Sequence, residues 1–304
     1  DLPDWCIHID GRIRSEARKQ LILDLSRDEV CEAVIKMLTD VLKSAPISYV
    51  KWDMNRNMTE IGSTAWPAKK QKEIAHRYML GLYKILENIT SNFPNILFES
   101  CSGGGGRFDG GMLYYMPQTW TSDDTDAIER LMIQEGTSLV YPTSSMGSHV
   151  SAVPNHQVHR ITPLNTRGVV AMAGSFGYEL DVTKMNEEEK EEVKKQVEFY
   201  KNIRSTVQFG DLYRLKSSFD SNEAAWMNLS KDGKEVVVSY VKKYAEANVI
   251  PRRLKVKALD ENSLYEVIET GEVFGGDELM YIGLEIGELM GDYQAKNWTL
   301  RKVD

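Results

Sequence analysis

Three acidic residues, Asp53, Glu99 and Asp123, each stand at or just beyond the end of a short apolar run that reads as a β-strand. Carboxylates gathered on one rim are the equipment for general acid/base work or for a carboxylate nucleophile. Asp123 has two acidic neighbours, Asp124 and Asp126, which on chemistry alone would serve equally well. Asp126, or Thr125, reads more readily as the cap of a helix beginning at Ala127. Glu99 reads as support for the glycine run that follows it. That run, 103–106, lacks the Gly-Lys-Ser/Thr ending of a phosphate loop and the Gly-x-Gly-x-x-Gly dinucleotide pattern. His149, His156 and His159 match no common zinc spacing, so no metal and no cofactor is expected.

The elements that must position these acids alternate in type over the first two-thirds of the chain. The run 21–25 reads as a strand, and Ser26-Arg27-Asp28-Glu29 as a capping box opening a helix. Val30, Val34, Met37, Leu38, Val41 and Leu42 then recur at helical spacing. A strand over 47–52, a helix near 70–90, a strand over 95–99, a shorter one over 117–121 and a helix from Ala127 follow. An apolar run at 169–173 and a charged, solvated helix near 187–205 complete the series. Repeated βα units imply parallel strands joined by right-handed crossovers, in a barrel or a doubly wound sheet. Near residue 210 the period changes. From 234 to 244, Val236, Val238 and Tyr240 fall on one face and Val237, Ser239 and Val241 on the other. Short strands at 253–257, 265–267, 279–286 and 298–300 show no helical period, which predicts a small antiparallel β-domain, a sandwich.

Bulk properties narrow the class. The 304 residues carry a net charge of −8 with no long basic run, which argues against nucleic acid or an anionic membrane as partner. No apolar stretch approaches the roughly 20 residues of a membrane helix, and no signal peptide is seen. Three cysteines, Cys6, Cys31 and Cys101, form a sparse, odd set that suggests a reducing compartment, the cytoplasm.

Four segments carry a resemblance. Tyr49-Val50-Lys51-Trp52-Asp53-Met54-Asn55-Arg56 is similar to the nucleophile motif of glycoside hydrolase family 36 α-galactosidases, the melibiases. The segments 8–18, 98–107 (with Cys101-Ser102-Gly103-Gly104-Gly105-Gly106-Arg107) and 118–130 agree with that family in order and spacing, and 149–156 and 174–181 are similar as well.

The resemblance implies an α/β fold: the C-terminal part of a (β/α)8 TIM barrel over 1–209, followed by a β-sandwich domain over 210–304. About five βα units precede residue 180, where a complete barrel takes about 250 residues. It also implies a retaining α-galactosidase acting on melibiose- or raffinose-like sugars by double displacement. Asp53 would be the nucleophile and Asp123 the acid/base, held about 5–5.5 Å apart. Arg18, Lys51, Asn55, Cys101 and Gly104 would bind the sugar, with Gly104 letting the backbone approach closely. Lys51 lies two residues before Asp53, on the same strand face, where its charge would favour an ionised nucleophile. Trp52 and Trp120 suit either sugar stacking or core packing. At full length the family pattern implies a homo-oligomer, a tetramer. The alternative expectation is a catalytically silent fragment or split-enzyme piece lacking the N-terminal half of the site; transglycosylation or action on α-N-acetylgalactosamine are weaker options.

Overall fold

The computed structural model describes residues 3–248 and 250–303, and the chain forms two compact units, Asp1–Trp120 and Thr121–Asp304. In the first, helix α1 (Asp28–Lys43) leads into strand β1 (Tyr49–Asp53), α2 (Ile74–Asn92) into β2 (Leu97–Cys101), and the short α3 (Gly110–Tyr115) into β3 (Gln118–Trp120). The strands run parallel, with Asp53 opposite Cys101 and Glu99 opposite Gln118. The two long helices form because each presents an apolar stripe: Val30, Cys31 and Val34 on α1, and Ile74, Tyr78, Leu82, Ile85 and Ile89 on α2. These stripes share one core with Val50, Trp52 and Phe98 of the strands.

Two local expectations fail here, for one reason. Run 21–25 forms no strand, only a single bridge from Leu23 to Cys6. Ser26 caps nothing: α1 starts behind Arg27 with no side-chain cap, and the Ser26 hydroxyl donates to Asp24 Oδ1 at 2.5 Å. Asp24 is 1% exposed and must find donors. It takes Ser26 and Ser63, and so diverts both the strand and the cap.

The second unit begins with α4 (Ala127–Ser138), β4 (Met146–Ser151), α5 (Leu164–Ala171), β5 (Ser175–Glu179) and α6 (Glu187–Phe209). Strands β4 and β5 are parallel. Asn186 and Glu189 close a capping box on α6, which runs four residues past its predicted end. The run 169–173 is not a strand: most of it belongs to α5, whose residues 166–171 are all buried. Because Thr166 and Arg167 are buried along with the apolar residues, polar and apolar types do not sort onto two faces, and the run reads like a buried strand.

An antiparallel region follows, with β6 (Asp211–Lys216), β7 (Glu223–Leu229), β8 (Glu235–Lys242), β9 (Arg253–Leu254), β10 (Leu264–Val267), β11 (Glu272–Gly275), α7 (Gly276–Tyr281), β12 (Leu284–Glu285) and β13 (Gln294–Val303). Six strands pair in the order β11-β10-β13-β8-β7-β6, and β9 pairs with β12. The alternation along β8 sorts its side chains into two cores. Val236, Val238 and Tyr240 pack with Leu254, Val256, Leu279, Leu284 and Ile286. On the other face Val241 meets Ala127, Ile128 and Val169, and Val237 meets Tyr200, Ile203 and Val207. The sheet is therefore backed by helices on one face. The stretch 279–286 is also corrected: it holds the end of α7, a turn at Gly283 with φ +98°, and only two strand residues. Six helical residues are too few to show a period. The chain is α/β, and among the described residues no helix is long and apolar enough to cross a membrane.

Candidate active site

β1 alternates: Val50 and Trp52 turn into the core, while Lys51 and Asp53 point away from it. Trp52 is thus a packing residue. Beyond Asp53 the pairing with β2 continues for one residue, as Met54 N donates to Cys101 O at 3.0 Å. The chain then turns, and Ser102 Oγ donates to Met54 O at 2.7 Å. Asn55 bridges the two strand ends: its Nδ2 donates to Asp53 Oδ2, and its Oδ1 accepts from Gly103 N at 3.1 Å. Gly103 and Gly104 have φ of +56° and +83°, where a residue with a Cβ is disfavoured. Ser102 N donates to Gly104 O at 2.7 Å, closing a tight loop. Arg107 donates from Nη2 to the carbonyls of Trp52 and Cys101, at 3.3 and 3.2 Å, and so locks both strands just beside Asp53. Nothing in the sequence reading singled it out, although a long side chain closing a glycine run is the signal that was available.

Cys101 is 2% exposed. Burial pushes its thiol up to about 11, and a hydrogen bond to Asp53 together with that carboxylate's charge pushes the same way, against a Gly104 backbone hydrogen bond and Lys51. A neutral thiol therefore donates toward the Asp53 carboxylate, which also accepts from Asn55. Lys51 shares the strand face of Asp53, as expected. Its Nζ lies 3.6 Å from Glu99 Oε1 and 4.4 Å from the centre of the Trp120 ring. Glu99, wholly buried, accepts on Oε2 from Tyr49 at 2.6 Å and from Gln118. It supports its strand neighbours and Lys51, rather than the glycine loop, because an unpaired buried carboxylate would be costly.

In the second unit the acidic cluster sorts by its bonds. Asp126 accepts from Ile128 N and Glu129 N at 2.9 and 3.1 Å, capping α4, and pairs with Arg160. Asp124 Oδ1 accepts from Asp126 N at 3.1 Å. Among the described residues Asp123 has no bonded partner, and its side chain is half-buried. Arg130, buried behind this loop, donates to Gly147 O at 2.7 Å and Ser122 O at 3.4 Å.

Thus Lys51, Asp53, Asn55, Cys101 and Gly104 come together in the first unit. Arg18 lies on an exposed turn of the same unit, and Asp123 belongs to the second. His149 faces Glu179 at 3.8 Å, while His156 and His159 are exposed. Among the described residues no group of three His, Cys, Asp or Glu is arranged to hold a metal ion.

Known proteins resemble the chain along nearly its whole length. The Melibiase family model matches residues 1–210, and the glycosyl hydrolase family 36 C-terminal domain matches 223–300. The chain is 61% identical over 301 residues to α-galactosidase AgaA of Geobacillus stearothermophilus, covering 99% of this chain and 41% of that protein. It is 50% identical over 302 residues to α-galactosidase Mel36A of Lactobacillus acidophilus, again covering 99% and 41%. A crystal structure of the Geobacillus enzyme in complex with raffinose superposes with a TM-score of 0.96 at 60% identity, covering 99% of this chain and 42% of that one. The chain therefore spans about two-fifths of the length of these relatives.

Proposed function

The chain belongs to glycoside hydrolase family 36, the melibiases, and from that premise we propose that it carries the two carboxylates of a retaining α-galactosidase. Asp53 attacks the anomeric carbon as the glycosidic bond breaks, while Asp123 gives its proton to the departing oxygen. Asp123 then takes a proton from water, whose oxygen displaces Asp53 and restores the starting carboxylate with net retention. The observation that carries this reading is the Asp53 strand end. There a carboxylate is steadied by Asn55 and a protonated Cys101 without a cation paired to it among the described residues, so its lone pairs stay available. Asp123 is favoured over its neighbours because Asp124 and Asp126 are committed to the loop and the helix cap.

Arg18, Lys51, Cys101 and Gly104 are the proposed sugar contacts, with Asn55 serving both Asp53 and the sugar. The substrate is a terminal α-linked galactose on an oligosaccharide, in keeping with a relative that binds raffinose. We further propose that 1–209 forms part of a (β/α)8 barrel and 210–304 a separate β-domain. The change from parallel to antiparallel pairing supports this division, as do the two family matches. The proposed setting is a cytoplasmic homo-oligomer. A competing reading, in which these 304 residues turn over no sugar alone, is favoured by the 41% span of the relatives.

The test is an aryl α-galactoside assay on the non-aggregated chain and on the full protein, with Asp53→Ala and Asp123→Ala beside each, plus labelling by a mechanism-based fluorogalactoside. Label on the peptide holding Asp53, and loss of turnover in both variants, is expected. Label elsewhere, for example on the peptide holding Glu99, sinks the assignment. Turnover by the full protein alone selects the competing reading for the chain.

A further inference from the structure

Arg56 closes the segment that carries Asp53, and no contact with sugar falls to it in the reading above. It is 6% exposed. Among the described residues no carboxylate lies within ion-pair distance of its guanidinium, and a buried charge without a counter-ion needs its donors filled. Oxygens fill them. Nε donates to Gln20 O at 3.3 Å, Nη1 to Asn57 O, and Nη2 to Ser15 O and to Thr59 Oγ1, the last at 3.2 Å. Two of these acceptors, Ser15 and Gln20, flank Arg18.

The turn between them is unusual. Gln20 N donates to Ala17 O at 3.0 Å, and both central residues, Arg18 and Lys19, have positive φ, +53° and +57°. That is the φ signature of a type I′ turn, normally built from Asn and Gly. Two consecutive residues with a Cβ in the left-handed region persist only where the surroundings over-determine them. A second grip helps: Ser15 Oγ donates to Glu60 Oε1 at 2.5 Å, and Thr59 Oγ1 to Glu60 Oε2 at 2.6 Å. The segment 56–60 thus holds the segment 15–20 at several points.

We propose that Arg56 is a positioning residue that clamps both flanks of the Arg18 turn and keeps Arg18 in its left-handed conformation for substrate. The proposal rests on Arg18 being a sugar contact. It ties the turn to the nucleophile, since Arg56 lies three residues beyond Asp53 on the same short segment.

The experiment uses the full protein and an aryl α-galactoside. Arg56→Gln and Arg56→Lys are measured alone and combined with Lys19→Gly, with amide hydrogen exchange followed at residues 17–20. Arg56→Gln is expected to raise KM about tenfold while kcat changes less, and to speed exchange in the turn. Lys19→Gly supplies a residue at home with positive φ. It should leave the wild-type KM unchanged and recover roughly threefold in the Arg56→Gln background. Arg56→Lys keeps the charge but loses the planar fork, and carries the same test if Arg56→Gln does not fold. Unchanged KM and exchange in the Arg56 variants overturns the proposal, and so does a raised KM that Lys19→Gly fails to repair. Arg18→Ala runs beside them. A wild-type KM there sinks the sugar-contact reading itself, and exchange in the turn then decides the clamp on its own.

Discussion

Replacing Glu223 by glutamine should cost stability at neutral pH and progressively less in acid. Glu223 stands at the start of β7 with its side chain 5% exposed. It accepts from Lys216, from the Tyr240 hydroxyl and from Arg252 Nη1, the last at 2.7 Å. Burial alone would raise its carboxyl, but hydrogen bonds from Lys216, Tyr240 and Arg252 outweigh it and bring it from 4.5 down to about 2. A carboxyl whose folded value is depressed stabilises the fold above its unfolded value, and that stability is lost as pH falls toward the folded one. At about 1.4 kcal/mol for each pKa step, the contribution is roughly 3 kcal/mol at pH 7 and about 1.4 kcal/mol at pH 3. Lys216 and Arg252 are about one-third exposed and can turn to water in the variant, so stranded cations add little. The assay is urea unfolding followed by tryptophan fluorescence at pH 7, 5, 4 and 3. The gap between wild type and Glu223→Gln should narrow by about 2 kcal/mol between pH 7 and pH 3. A gap that stays constant across that range would refute the account, because the missing energy would then be packing and not charge.

Two further outcomes are expected. Cys101 has its proton held more tightly in the fold, up to about 11 against an ordinary 9.0, so wild type should lose stability as pH rises from 9 to 11. Cys101→Ser should be flatter by up to about 2 kcal/mol in matched denaturant titrations, and parallel curves would rule the thiol out. Gly81→Ala places a methyl 1.8 Å from Leu25 O, where α2 meets the segment that leads into α1. The contact is with backbone and cannot be relieved by a rotamer, so thermal unfolding should shift down by an amount matching about 3 kcal/mol or more.

Residues with a single geometric job were legible in the sequence, while residues with competing partners were not. Lys51 and Asp53 were readable as neighbours on one strand face, because period-two alternation fixes that much. Where Lys51 aims was not, since Glu99 is remote in sequence and becomes its partner only once β1 and β2 pair in register. Asp126 was readable as a cap, because the cap is local. Ser26 was misread because a buried acid two residues earlier competes for its hydroxyl. The run 169–173 reads as a strand because α5 buries Thr166 and Arg167 beside its apolar residues, so residue type does not mark the helical period. Arg56 reaches carbonyls 36 and 41 residues away and Arg107 one 55 residues away, and which carbonyl will accept is set by the fold, not by the sequence.

The strand order of the antiparallel sheet has a consequence for biosynthesis. β13, made after the other five strands of its sheet, lies between β8 and β10, in the interior of the sheet. Until it leaves the ribosome, β6–β8 and β10–β11 are two separate ribbons, and the edge of β8 that β13 will cover is open. The apolar face of α4 and α5 also lacks Ala295. Translation at about 5–20 residues per second leaves those surfaces exposed for several seconds after β8 emerges. The nascent chain should therefore depend most on chaperones during the passage from residue 242 to residue 303, and release of β13 should act as the step that commits the sheet.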